Sequence, residues 1–252
     1  MSAQLIELVS ASVTYHSGPM WARRTVEAVH KVSIEVQPGE IVGMVGESGS
    51  GKTTVGKLCL GVLQPTVGKV IFDGHSPIDR SSRRGQMAVV LQHPEWALNP
   101  RLKVEMSVAE PLSIQGGIAS REKIRRIEEA LTMVGLDAGF AQRYPHELSG
   151  GQRQRVAIAR ALIIRPRFVV FDEAVSALDV SIQTQVLNLI KQLQTEGGFA
   201  SLFISHDLAA TRYVADRIVV MRAGEIVEQA PVRKFYDRPS HPYSQALFDT
   251  IA

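Results

Sequence analysis

The sequence predicts an α/β fold, and three observations carry that prediction. A glycine-rich loop, Gly46-Glu47-Ser48-Gly49-Ser50-Gly51-Lys52-Thr53-Thr54, lies between an apolar run at Ile41–Val45, short enough for a buried strand, and a helical stretch from Val55 to Leu63. Two more uninterrupted apolar runs, Met87–Leu91 and Phe168–Phe171, read as strands, the second of them a buried strand of a parallel sheet. From His93 to Pro145 strand patterning stops, and this middle region reads as a helical insertion.

Taken in order, Leu5 to Tyr15 alternate, with Leu5, Val9, Val13 and Tyr15 assigned to one face. Val32, Ile34 and Val36 alternate again between Lys31, Ser33 and Glu35, so both segments read as half-buried strands. His16 to Thr25 between them reads as an exposed loop that leaves Tyr15 at a strand end, and Pro38-Gly39 turns the chain into the Ile41 strand. The loop that follows matches the phosphate-cradling P-loop pattern G-x-x-x-x-G-K-[ST], in the strand–loop–helix context the pattern requires. Gly46, Gly49 and Gly51 lack a Cβ, so the backbone can curl with its N–H groups inward at the positive end of the next helix. Lys52 then reaches the β- and γ-phosphates of a nucleoside triphosphate, and Thr53 offers its hydroxyl to Mg²⁺. The competing reading, a glycine-rich turn with a chance Lys-Thr, arises in roughly one chain of this length in a hundred.

Lys69 to Gly74 is a short strand running into an Asp-Gly turn, and the Met87–Leu91 strand ends at Gln92. In the middle region Ile124, Ile127, Leu131 and Val134 recur at helical spacing, with Ser120 as N-cap and Gly135 as C-cap. Leu148-Ser149-Gly150-Gly151-Gln152 opens a second helical run, Arg153 to Ile164, stopped before Pro166. Two glycines at a helix start make a second anion site. The Phe168 strand delivers Asp172-Glu173 at its C-terminal end, where ligands of parallel α/β sheets bind. Val180 to Glu196 is a helix with Ile182, Val186, Leu189 and Leu193 on one face, ended by Gly197-Gly198. Ser201 to Ser205 is the next strand and stops at His206-Asp207. After a helical stretch to Ala215, Arg217–Met221 and Glu225–Glu228 form a hairpin around Ala223-Gly224, and the tail carries Pro231, Pro239 and Pro242.

Composition narrows the class. With 252 residues and 45% hydrophobic content the chain can bury a full core. No apolar stretch approaches the roughly 18 residues a membrane helix needs, and the N-terminus has no basic-then-apolar signal, so a cytoplasmic chain is expected. Cys59, the one cysteine, excludes a disulfide or cysteine-rich metal site and reads as a small buried hydrophobe. A net charge of +3, spread without a long Lys/Arg run, fits a solvated surface or a face near anionic lipid rather than a nucleic-acid groove.

The P-loop, Gln92, Leu148 to Gln152, Asp172-Glu173 and His206 stand in the order found in the ATP-binding cassette (ABC) ATPases, which the sequence resembles over essentially its whole length. The resemblance implies a P-loop NTPase (RecA-like) core with an N-terminal antiparallel β subdomain and an inserted α-helical subdomain. It implies one nucleotide-binding domain over 1–252: ATPase core with β subdomain at 1–92 and 166–230, helical signature subdomain at 93–165, tail at 231–252. Physical roles follow for each site residue. Asp172 suits the Mg²⁺ shell, Glu173 suits a general base orienting the attacking water, and Gln92 suits a sensor of both Mg²⁺ and water. His206 suits a contact to the γ-phosphate and Tyr15 a ring stacked on adenine, each also compatible with a surface residue or simple packing. Asp179 would sit at a facing subunit's site, or act as an N-cap. Two cassettes are expected to pair head to tail, each setting Ser149, Gly150, Gly151 and Gln152 over ATP held by the other's P-loop, so that ATP shifts the equilibrium toward the closed dimer.

A finer resemblance, to the peptide and nickel importer branch, rests on Gln92 to Arg101, on Tyr144-Pro145-His146-Glu147, and on His241-Pro242-Tyr243 with Ala246-Leu247. That branch implies a second ATPase subunit, identical or different, two transmembrane permease subunits, an extracytoplasmic solute-binding protein, and a peripheral position on the cytoplasmic face of the inner membrane. His93 stands where an acidic residue is common, Ala174 replaces the proline usual after Asp-Glu in a way similar to nickel-type subunits, and the cysteine-rich extension many peptide-type members carry after Tyr243 is not seen; together these shift the expected cargo toward nickel or a metal chelate. The alternatives are an export ATPase and a soluble cassette protein acting on nucleic acid; the latter would carry zinc-binding cysteines, a coiled coil or a second cassette. A P-loop GTPase would carry an Asn-Lys-x-Asp or Thr-Lys-x-Asp motif, which the sequence lacks.

Overall fold

The computed structural model describes residues 4–17, 24–75 and 85–249. In chain order the elements are β1 (Ile6–Ser17), β2 (Arg24–Val36), β3 (Ile41–Val45), α1 (Lys52–Cys59), β4 (Val67–Phe72), β5 (Met87–Leu91), α2 (Val104–Gln115), α3 (Ser120–Met133) and α4 (Gly150–Leu162). There follow β6 (Phe168–Asp172), α5 (Val180–Gly197), β7 (Ala200–Ile204), α6 (Leu208–Val214), β8 (Arg217–Arg222), β9 (Glu225–Pro231), α7 (Val232–Asp237) and α8 (Pro242–Asp249). They form two compact units, Met1–Ser82 with Ala200–Ala252, and Arg83–Phe199.

The first unit holds an antiparallel sheet in the order β2-β1-β4, and the neighbouring strands β7-β3-β8-β9. In the latter, β7 and β8 flank β3 in parallel, with Met44 opposite both Ile204 and Val219, and β9 returns antiparallel to β8. The β2 alternation is as expected, Val32, Ile34 and Val36 inward with Lys31, Ser33 and Glu35 exposed. The face assigned to β1 is corrected. Ser10 takes φ 44° and the pairing slips between Leu8 and Ala11, so Ile6 and Leu8 point inward before the slip, Ala11 and Val13 after it, and Tyr15 is exposed. An extra residue in a strand flips every later side chain, which strict alternation cannot anticipate. The β1–β2 hairpin is also longer than expected: His16 pairs with Thr25 and Ser17 with Arg24, while the expected loop's centre, 18–23, lies outside the described residues.

Helix α6 sits directly on β3, because a Cβ at Gly43 would come 2.2 Å from the Thr211 Cγ2. Cys59 is fully buried at the end of α1, where burial pushes its thiol up to about 12, as suits a small hydrophobe. The proline-bearing tail folds into α7 and α8 against Val45, Ile218 and Val220, burying Phe235 and Tyr243. Its prolines mark the helix starts: Pro231 caps α7 and Pro242 is the first residue of α8.

In the second unit β5 lies parallel to β6, from Met87 opposite Phe168 to Leu91 opposite Asp172. Around them lie the helices of the middle region, as the loss of strand patterning predicts. On α3, Ile127 and Leu131 are buried but Ile124 is 58% exposed, and the N-cap is Ala119 rather than Ser120. Gly135, one residue past the C-cap Val134, takes φ 73°, the left-handed position that stops a helix. Arg155 of α4 donates to the Val134 carbonyl at 2.8 Å, and Arg160 bonds Glu110 of α2 at 2.7 Å, so α4 organises this helical layer.

Candidate nucleotide-binding and hydrolysis site

The P-loop leaves β3 at the end where the parallel strands of the first unit all stop. Backbone crowding accounts for its glycines. A Cβ on Gly46 would lie 2.1 Å from the Met221 carbonyl of β8, and one on Gly51, at φ 104°, would lie 2.5 Å from the Ala28 carbonyl of β2. The loop is thus seated on two strands, and the Gly224 N–H of the β8–β9 turn donates to the Ser50 carbonyl at 3.0 Å. Lys52, 5% exposed, opens α1 and sends its ammonium to the carbonyls of Gly46 at 2.7 Å and Glu47 at 2.8 Å. Thr53 follows in the first turn with an exposed side chain. Since Met44 pairs with Ile204, Gly46 and His206 each lie two residues beyond a paired position, so the register brings the histidine segment to the mouth of the P-loop. Asp207 caps α6 through the Ala210 N–H at 3.0 Å, which fixes the turn carrying His206. Tyr15 lies on the same unit, 42% exposed beside the exposed Val26.

The second unit assembles the carboxylates and the signature. Leu91 and Asp172 are register partners, so Gln92 and Glu173 leave adjacent parallel strands side by side. Glu173 takes φ 51°, an uncommon conformation for a non-glycine residue, and its carbonyl accepts both the Ser176 N–H at 3.1 Å and the Ser176 hydroxyl at 2.9 Å. Ser149 and Gln152 form a capping box, the hydroxyl accepting the Gln152 N–H at 3.3 Å and the Gln152 side chain accepting the Ser149 N–H at 3.0 Å. Gly151 packs close to α5, where a Cβ would meet the Ile182 Cγ2 at 2.6 Å; around Gly150 the nearest atom lies 3.9 Å from such a Cβ. Asp179 caps α5 through the Ile182 N–H at 2.9 Å. The structure therefore groups Gln92 with Asp172 and Glu173, and the signature helix with the α5 helix that Asp179 caps; Lys52, Thr53 and His206 belong to the other unit.

Against this geometry the comparisons are specific. The ABC transporter family model matches residues 29–176, from β2 through the Asp172-Glu173 strand end. The chain belongs to the ABC transporter ATPases. This cassette is 46% identical over 239 residues to a Brucella abortus protein named for peptide import, spanning 92% of this chain and 72% of that one. It is likewise 46% identical to the oligopeptide transport ATP-binding protein OppF of Bacillus subtilis, over 91% of this chain and 77% of that protein. The ADP- and phosphate-bound dimer of the cassette MJ0796 superposes with TM-score 0.79 at 31% identity, covering 90% of this chain and 99% of that one. The Clostridium perfringens cbiO1 structure, 24% identical with TM-score 0.82 over 94% of this chain and 92% of its own, shares the fold. The protein is an ATP-hydrolysing cassette, with the mixed α/β P-loop core, antiparallel β sheet and helical layer expected.

The donors present are oxygen donors of the hard type. Among the described residues no group of three or more His, Cys, Asp or Glu side chains could hold a metal ion. Thr53 in the first turn of α1 and Asp172 at the end of β6 carry hard oxygen donors of the kind Mg²⁺ takes, and would be among the residues to hold such an ion. One feature had no sequence signal: the Glu47 N–H donates to the Tyr243 hydroxyl of α8 at 3.2 Å, across 196 positions of chain.

Proposed function

We propose that this cassette powers uptake of short peptides through a pair of membrane permeases. The observation that carries the reading is the 46% identity, over nine-tenths of the chain, to proteins named for peptide import and oligopeptide transport. The chemistry is assigned residue by residue. The loop from Gly46 to Thr54, through its N–H groups other than that of Glu47, and the Lys52 ammonium hold the triphosphate, and Tyr15 stacks on the adenine. Mg²⁺, when bound, neutralises charge on the β- and γ-phosphates; Thr53, Asp172 and Gln92 are the residues that would hold it. Glu173 takes the proton of the attacking water, His206 steadies the γ-phosphate, and Gln92 orients the water.

The reading extends to partners. Residues 93–165 act as the helical signature subdomain, within 1–92 and 166–230 as core and 231–252 as tail. Ser149, Gly150, Gly151 and Gln152, with Asp179, close over ATP bound to the P-loop of a second cassette, identical or not. Loss of the γ-phosphate then opens the pair. The helix starts at Gly150 and Gly46–Lys52 would give one nucleotide two anion-binding ends, one from each subunit. An extracytoplasmic binding protein delivers the solute, and the cassette sits peripherally on the inner face of the membrane; among the described residues no helix is long and apolar enough to cross one. Ala174 after Asp172-Glu173, and His93, favour a second reading in which the cargo is nickel or a metal chelate.

The test is ATP hydrolysis by the assembled transporter in vesicles containing the binding protein. Stimulation by di- or oligopeptides is expected. Stimulation by a nickel chelate but not by peptide selects the second reading, and no response to either overturns the importer assignment.

A further inference from the structure

We propose that Tyr243 is a positioning residue for nucleotide binding, which acts by fixing one peptide plane of the P-loop. The Gly46 carbonyl and the Glu47 N–H belong to the same rigid peptide unit and point in opposite directions from it. In this structure both ends are held. The Lys52 ammonium donates to the Gly46 carbonyl at 2.7 Å, and the Glu47 N–H donates to the Tyr243 hydroxyl at 3.2 Å. Gly46 takes φ 149° and lacks a Cβ, so its own sterics leave the plane unusually free to rotate. Tyr243 supplies from the tail the constraint that the glycine omits. A rotation of this plane would carry away the carbonyl to which the Lys52 ammonium is tied, and with it the lysine that meets the β- and γ-phosphates.

The tyrosine is itself held firmly. The residue is 9% exposed, in the cluster of Val45, Ile218, Val220 and Phe235, and the Arg222 guanidinium lies 4.8 Å from the ring centroid. The start of α8 is pinned by Glu228, whose carboxylate accepts the Ser240 N–H at 2.8 Å and the His241 N–H at 3.0 Å, and the Tyr243 N–H donates to the His241 ring nitrogen at 3.1 Å. Through these contacts the His241-Pro242-Tyr243 run, which carries no catalytic chemistry, is joined to the phosphate site. The inference needs ATP binding at the P-loop and is independent of which solute is transported.

The experiment is an equilibrium titration of the purified full-length Tyr243→Phe variant with ATP and Mg²⁺, together with amide exchange at Glu47. Phenylalanine keeps the ring and removes the hydroxyl. We expect the ATP dissociation constant to rise about three- to tenfold, the range a single lost hydrogen bond gives, with Glu47 exchange accelerated and the nucleotide-free melting temperature little changed. Phe248→Ala, which removes a ring packed on Tyr236 in the same tail, separates packing from positioning. It is expected to lower the melting temperature with ATP affinity retained. Wild-type ATP affinity or unchanged Glu47 protection in Tyr243→Phe overturns the proposal, as does equal loss of affinity in Phe248→Ala. A wild-type chain that binds no ATP would instead defeat the nucleotide assignment itself.

Discussion

Glu173 sits at φ 51° immediately after an extended strand, in a region where a residue with a Cβ costs roughly 1–2 kcal/mol. Two hydrogen bonds from Ser176 to its carbonyl hold it there. Glu173→Gln keeps the shape and removes the base. ATP binding is expected to persist while turnover falls by about 10²–10⁴, or roughly 3–5 kcal/mol of barrier; unchanged steady-state hydrolysis would remove Glu173 from the mechanism. The P-loop, Asp172 and Glu173 are legible in the sequence because their chemistry is written in consecutive residues flanked by apolar strands. Tyr243 is not legible in that way. Its role depends on a bond to Glu47 that only the packing of the tail creates, and the motif around it, His241-Pro242-Tyr243, points to a branch of the family and not to the phosphate site.

Among the elements, those with a clean period are the ones the sequence describes well. The inward faces of β2 and α5 follow alternation and helical spacing, and β5 and β6 follow from unbroken apolar runs. β1 departs because the slip at Ser10 changes its phase, and α7 and α8 departed from view because three prolines in a short tail look like breakers when two of them are helix starts. Helix α3 gives a pH-dependent test. Hydrogen bonds from Arg125 and Arg126 hold the Glu122 carboxyl down at about 2, against an ordinary value of 4.5. A depressed folded value means the contribution is complete above 4.5 and is lost as pH falls toward 2. Direct titration of Glu122 by carboxyl NMR should give a midpoint near the lower figure; a midpoint at the ordinary value would mean the arginines do not hold it in solution.

At the scale of the whole molecule, the signature and the P-loop are helix starts in different units of one chain, and the proposed function has them bind one ATP by pairing of two cassettes. Ser149→Arg places a long cation where the second subunit's nucleotide would enter. Hydrolysis is expected to be abolished with ATP binding by the isolated chain intact; loss of binding in equal measure would mean the signature serves its own chain's nucleotide. Far from that chemistry, at the opposite end of the parallel strands, Arg217 donates to Glu40 at 2.8 Å, to Gln229 at 3.0 Å and to the Glu35 carbonyl, while Asp216 accepts the Ile41 N–H at 2.8 Å. Arg217→Ala should cost about 2 kcal/mol of stability, a fall in melting temperature of roughly 4–8 °C, with nucleotide affinity of the folded fraction unaltered, as parallel calorimetry and titration would reveal. Ballast and engine are thereby kept at opposite poles of the same strands. A change at the Arg217 clasp would then alter heat tolerance at the pole away from the fuel.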